Sequence, residues 1–273
     1  MHSETIGLSV GTIHYRTAGS GDNAIILIHG NSQSAAGFDG LMSEMLARNF
    51  RMIAPDLPGH GDSSWAEDPD SVYNFQGFAA VLIEFAWKLG LKGAVWAGFS
   101  LGGHVLMTAW KSLPEPAGMF LCGTSPLSGG EDVGPAYGSV PELRLMFAPH
   151  TDRGTADRAA RLIAGPGREP DPFVVEDYLR TDPAVRAGIG AMIVSGTLPH
   201  DETMLLEDSE VPVAVSFGAL DITTNPDYLG RLRSDRYWRN RIVYVPDTGH
   251  NVYRDDPVKF RSILEEFCND IFG

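Results

Sequence analysis

The chain has 273 residues, 43% hydrophobic and 21% charged, which is the balance of a globular protein with one large α/β domain plus an insertion, or two small domains. Its formal net charge of −14 excludes a basic phosphate-binding surface, so no nucleic acid and no anionic membrane is expected as a partner. A small hydrophobic or neutral substrate suits it better.

In chain order, residues 5–9 and 12–17 alternate like two short strands of an antiparallel edge pair, and glycine-rich residues 19–23 break the chain. Residues 24–28 form a continuous apolar run of strand length, the mark of a strand covered on both faces. The run ends at His29-Gly30-Asn31, before a helix-like segment over residues 38–47. Residues 52–54 make another short strand, 55–63 (PDLPGHGDS) a turn-rich loop, and 75–89 a helix with apolar positions at Phe78, Val81, Leu82, Phe85 and Leu89. Residues 94–97 and 119–122 add two buried strands, with a helix between them. Strand and helix therefore alternate, which predicts a mostly parallel sheet with helices on both faces and reactive groups at the carboxyl ends of its strands.

After Ser125 the alternation lapses. Short amphipathic helices are expected near residues 142–147, 156–163, 172–179 and 183–194, too much chain for a simple crossover. The expected organisation is a core of residues 1–125 and 209–273 with a helical cap, 126–208, inserted as the roof of a pocket. Strands return at 211–217 and 242–245, and residues 257–272 close the chain as a helix. Cys122 and Cys268, the two cysteines, lie in apolar patterns and are expected as buried free thiols. No stretch has the length and apolarity of a membrane span or a secretion signal, so a cytoplasmic location is expected.

The chemistry is concentrated at Gly98-Phe99-Ser100-Leu101-Gly102-Gly103, where a buried strand runs straight into a helix. A serine at such an elbow sits in strained geometry, and the residues two before and two after it must be nearly free of side chain. The Leu101 amide then lies at the helix N-terminus, placed to stabilise an oxyanion. A G-x-S-x-G pattern alone is weak in a chain with 31 glycines, and Gly7-Leu8-Ser9-Val10-Gly11 repeats it where no strand–turn–helix follows. That copy reads as a hairpin turn.

A serine nucleophile needs a base, and the base needs an acid to orient it. Of the eight histidines, His250 stands in a loop just beyond the strand at 242–245. His29 can equally anchor its loop, and His60 and His104 read as structural. Asp221, beyond the strand at 211–217, is the acid expected to orient His250. Asp247 competes, but it shares the histidine's loop, where a short acid usually makes local turn bonds.

With these segments in view, the chain resembles an α/β-hydrolase over nearly its whole length outside the cap. The resemblance rests on His29-Gly30-Asn31, on Asp56 through Ser63, on Gly98 through Gly103, on Gly218 through Asp221 and on Gly249-His250, with the order serine, acid, histidine. It implies Asn31 as the source of the second oxyanion amide beside Leu101, with its side chain another possible substrate contact. HGNSQS, RMIAPDLPGHGDS and GFSLGGH are most similar to the N-acylhomoserine lactone lactonases of this fold, some of which use Glu where this chain has Asp221. The implied function is hydrolysis of a carboxylic ester or lactone through an acyl-enzyme, with no cofactor and no metal. A cofactor-independent oxygenase, a carbon–carbon bond hydrolase and a non-catalytic small-molecule receptor are the alternatives on the same scaffold, and oligomeric state is left open.

Overall fold

The computed structural model describes residues 1–43, 50–138, 140–149, 152–165, 167–233, 235 and 237–273. Eight strands form one sheet: β1 (His2–Leu8), β2 (Gly11–Ala18), β3 (Ala24–Ile28), β4 (Arg51–Pro55), β5 (Val95–Phe99), β6 (Gly118–Cys122), β7 (Val213–Gly218) and β8 (Val243–Val245). Their order is β1-β2-β4-β3-β5-β6-β7-β8. β1 and β2 pair antiparallel, as does β2 with β4, while every pair from β4 to β8 is parallel. The sheet is therefore mostly parallel, as expected, with an antiparallel hairpin at one edge.

β3, β5, β6 and β7 are buried along their whole length because successive side chains point to opposite faces and a core covers each face. Along β3, Ile26 and Ile28 join one core and Ile25 and Leu27 the other. The first core is closed by α1 (Phe75–Lys88) and α2 (Leu101–Ala109), and the second by the C-terminal helix α7 (Pro257–Phe272) through Phe260, Leu264 and Phe267. Because five neighbouring strands run the same way, the loops after β3, β5, β6, β7 and β8 gather at one edge. Cys122 and Cys268 are both buried free thiols. Among the described residues no helix is long and apolar enough to cross a membrane.

Between β6 and β7 the described residues make two 3₁₀ segments, Gly130–Asp132 and Pro141–Phe147, a single helical turn, Val133–Ala136, and four longer helices, α3 (Arg153–Ala164), α4 (Pro172–Arg180), α5 (Pro183–Ser195) and α6 (Glu202–Glu207). An aspartate caps each of the four: Asp152, Asp171, Asp182 and Asp201 accept from backbone amides in the first turn, and proline follows Asp171 and Asp182 at the first helical position. α3 and α4 share a small core of Ala156, Ala159, Ala160, Ile163, Val174 and Tyr178. Two expectations need correcting. The 141–147 segment is a tight 3₁₀ run rather than an amphipathic helix, with Pro141 at its start. The helix expected over residues 38–47 is a 3₁₀ turn, Ala35–Phe38, and one helical turn, Asp39–Met42, and its last residues, 44–47, lie outside the described residues.

Candidate active site

β5 delivers Ser100 at φ 52° and ψ −119°, a region that side chains avoid. The surroundings over-determine it. The Ser100 amide donates to the Cys122 carbonyl at 2.9 Å, and the Thr124 hydroxyl donates to the Ser100 carbonyl at 2.9 Å. A Cβ on Gly98 would sit 2.6 Å from the Gly103 Cα, and one on Gly102 would press into the carbonyls of Ile28 and His29. Both glycines are thus demanded by close approach of backbone. Leu101 opens α2, so its N–H is one that the helix itself leaves unpaired. The other G-x-S-x-G pattern is the turn between β1 and β2, where the Ser9 hydroxyl donates to Glu84 at 2.6 Å.

From the end of β7 a tight turn, with the Asp221 amide donating to the Gly218 carbonyl at 3.2 Å, brings Asp221 towards the loop beyond β8. There His250 Nδ1 donates to Asp221 Oδ2 at 2.8 Å. The second carboxylate oxygen accepts from the Thr223 amide at 2.8 Å and the Thr223 hydroxyl at 2.6 Å. Burial disfavours the charged form of His250, but the charge of Asp221 and its hydrogen bond outweigh burial and raise the histidine's pKa above its ordinary value. Burial likewise works against ionised Asp221, and is outweighed by His250 and by both Thr223 donors, which hold the carboxyl below the usual range. The His250 amide donates to the Ile163 carbonyl of α3 at 2.9 Å, so the segment between β6 and β7 also fixes this loop. Asp247 stands exposed in a left-handed turn, φ 60°.

The loop after β3 carries Asn31. Its side chain is spent on neighbours: Nδ2 donates to the Met146 carbonyl at 2.6 Å, and Oδ1 accepts from the Ser32 hydroxyl at 3.1 Å. Behind Ser32 lies Arg186 of α5, fully buried, which donates to the Ser32 hydroxyl and the Tyr178 carbonyl at 3.1 Å and to the Ala148 carbonyl at 2.8 Å. His29 and His60 brace the same loop. His29 donates from Nδ1 to the Gly30 carbonyl and accepts the Leu57 amide, and His60 accepts the Ser32 amide. Burial lowers the pKa of both rings, most for His60, which keeps them neutral supports.

His14, Asp56 and Asp62 bring ligand atoms within 4.8 Å of one another. The Asp56 oxygens are already taken by His14 Nδ1 at 2.7 Å and by the amides of Ala35 and Asp62, and Asp62 pairs with Arg180 at 2.6 Å. The cluster is a hydrogen-bonded brace beneath the loop edge.

Ser100, Leu101, Asn31, Thr223 and His250 stand on the wall of one cavity of about 230 Å³. The rest of the wall is mostly apolar, with Met146, Phe147, Ile163, Ile189 and Ile193 from the segment between β6 and β7. Three wall or support residues were not foreseen. Thr223 orients Asp221, and the signal was present: an Asp two residues before a Thr is the pattern of a side-chain-to-backbone turn. Tyr137 and Glu202 flank His104, which itself faces the cavity rather than only packing in the core.

An eight-stranded, mostly parallel sheet with a strained serine elbow and a histidine–aspartate pair at its loop edge defines a hydrolase class. The chain belongs to the alpha/beta hydrolase family, which it matches over residues 25–263. Its fold is similar to that of the N-acyl homoserine lactonase AidH complexed with N-butanoyl homoserine, at 29% identity and a TM-score of 0.92, covering 100% of this chain and 98% of that one. A mutant of the same lactonase complexed with N-hexanoyl homoserine lactone is 28% identical with a TM-score of 0.92, covering 100% and 99%. A curated relative, the pimeloyl-[acyl-carrier protein] methyl ester esterase of Pectobacterium carotovorum subsp. carotovorum, is 25% identical, covering 94% of this chain and 98% of its own.

Proposed function

We propose that this ester-bond hydrolase works through an acyl-enzyme formed on Ser100. His250 takes the hydroxyl proton as Ser100 attacks the carbonyl, and Asp221 steadies the resulting imidazolium through Nδ1. The amides of Leu101 and Asn31 hold the oxyanion. With the Asn31 side chain engaged by Met146 and Ser32, the backbone N–H is the group left for that task. His250 returns its proton to the leaving alkoxide, then activates the water that frees the acid. The observation that carries this reading is the shared cavity: Ser100 and His250 face it together, and Asp221 backs the imidazole from 2.8 Å.

The substrate we favour is a small lactone with a short acyl substituent. A cavity of about 230 Å³ lies below the ~300–1,000 Å³ usual for drug-sized ligands, and its apolar wall suits a few methylenes. The likeness to a lactonase of the same fold supports the choice of a ring ester. The segment between β6 and β7 acts as a cap, since it contributes most of the apolar wall.

The test is a panel of N-acyl homoserine lactones of increasing chain length beside short p-nitrophenyl esters, with Ser100→Ala as control. Hydrolysis is expected to favour the shortest lactones and to fall by several orders of magnitude in the variant. Undiminished turnover by Ser100→Ala would sink the acyl-enzyme. Equal rates across the panel would make it a general esterase.

A further inference from the structure

A second buried histidine–carboxylate pair stands on the same cavity wall. His104 stands in the first turn of α2, four residues after Ser100, and lines the same cavity. Its ring stacks on Phe75, with centroids 4.9 Å apart and planes 5° from parallel. Nδ1 meets both oxygens of Glu202, at 2.9 and 3.0 Å. Glu202 is 1% exposed, and its Oε2 also accepts the Leu127 amide at 3.0 Å. On its other side the ring meets the Tyr137 hydroxyl, 2.6 Å from Nε2. Phe75, His104 and Tyr137 all line the cavity, and the acyl transfer uses none of them.

The carboxylate sets the order of donors. With Nδ1 held against both Glu202 oxygens, that nitrogen is the ring's donor and Nε2 is the acceptor facing the Tyr137 hydroxyl. The Tyr137 O–H donates to Nε2 and has no second proton to give. Tyr137 lines the cavity, and what its oxygen still offers is a lone pair, in a wall that is mostly apolar.

We infer that Tyr137, positioned by His104 and Glu202, is a specificity subsite that accepts a hydrogen bond from an amide N–H of the substrate, in the same cavity as Ser100. A site with a buried acceptor rewards the ligand that brings a donor and penalises the isostere that does not, because the phenol oxygen then loses water without replacement. The inference rests on the preceding reading in one respect: it takes this cavity for the substrate site.

Binding to the Ser100→Ala protein tests it by calorimetry, with N-butanoyl homoserine lactone and the analogue in which a methylene replaces the amide N–H. The amide ligand is expected to bind about tenfold more tightly, the scale of one neutral hydrogen bond. Adding Tyr137→Phe is expected to bring the two ligands within about twofold, through loss of affinity for the amide ligand. Equal affinity for Ser100→Ala, including no detectable binding of either ligand, overturns the inference. So does a preference that survives Tyr137→Phe, or a parallel loss for both ligands, which is the signature of a mere brace. Failure of the acyl-enzyme reading looks different, since Ser100→Ala would then keep hydrolysing lactone whatever the two ligands' affinities.

Discussion

The core sheet and the segment that interrupts it between β6 and β7 are built on different terms. In the core, the central strands β3, β5, β6 and β7 are buried on both faces, and Ser100, Asp221 and His250 stand in the loops just beyond strand ends, so position follows from backbone geometry. The interrupting segment has a small alanine-rich core of its own and is tied to the sheet by long-range polar contacts. Asn31 reaches Met146, Ser32 receives Arg186, Ser34 donates to Asp177, and His104 meets Glu202. The lesson is a division of labour: the core sets where the reacting atoms stand, and the polar ties set what shape of space lies above them.

The difference can be sharpened by substitutions on either side of it. The largest effect is expected at the strand ends. Asp221→Asn should lower kcat by about 10⁴-fold, the scale for removing the carboxylate that orients a catalytic histidine. Steady-state kinetics checks it, with circular dichroism confirming the fold. The same carboxylate raises the His250 pKa against the effect of burial, and a base must be neutral to work. The rising limb of kcat/KM is therefore expected above pH 6.5 in the wild type and at lower pH in Asp221→Asn; coincident limbs would break the link between the two residues.

Next comes the elbow. Gly102→Ala forces a methyl into the backbone carbonyls of Ile28 and His29, which cannot give way as a flexible side chain could. A loss of about 3 kcal/mol in urea unfolding is expected. A variant as stable as the wild type would show the elbow to be looser than its geometry.

The smallest effect belongs to the interrupting segment and has the opposite sign. Asp177 on α4 is buried against Ser34, and burial lifts its carboxyl from the ordinary 3.8 to about 6. The folded state thus holds this proton more tightly than the unfolded chain, so stability falls as pH climbs from 3.8 through about 6. Asp177→Asn removes that loss while keeping an acceptor for Ser34. It should gain on the order of 2–3 kcal/mol at pH 8 and nothing near pH 3, read from urea melts at the two values.

The same division explains what was legible beforehand. The parallel frame, the elbow and the placement of Asp221 and His250 were open to reading because each depends on neighbours in sequence: an apolar run of five, a pair of glycines, an acid three residues past a strand. The aspartate–proline pairs at 171–172 and 182–183 marked two helix starts for the same local reason. Glu202 was not legible, since its partner lies 98 residues away and its six-residue helix is too short and polar to announce a buried face. Arg186 hid similarly, one cation in an apolar helix that gives no hint of the carbonyls waiting for it. The 3₁₀ run at Pro141–Phe147 was misjudged because a short run of apolar residues fits either helix type.

The bond from the Asn31 amide group to the Met146 carbonyl carries one more implication. It fastens the segment between β6 and β7 to the loop that carries Asn31, so any outward swing of that segment must first undo the fastening. Under the acyl-enzyme proposal, opening and turnover would be geared together: the pocket would not open without loosening the Asn31 loop, and would regain its full set of donors only on shutting.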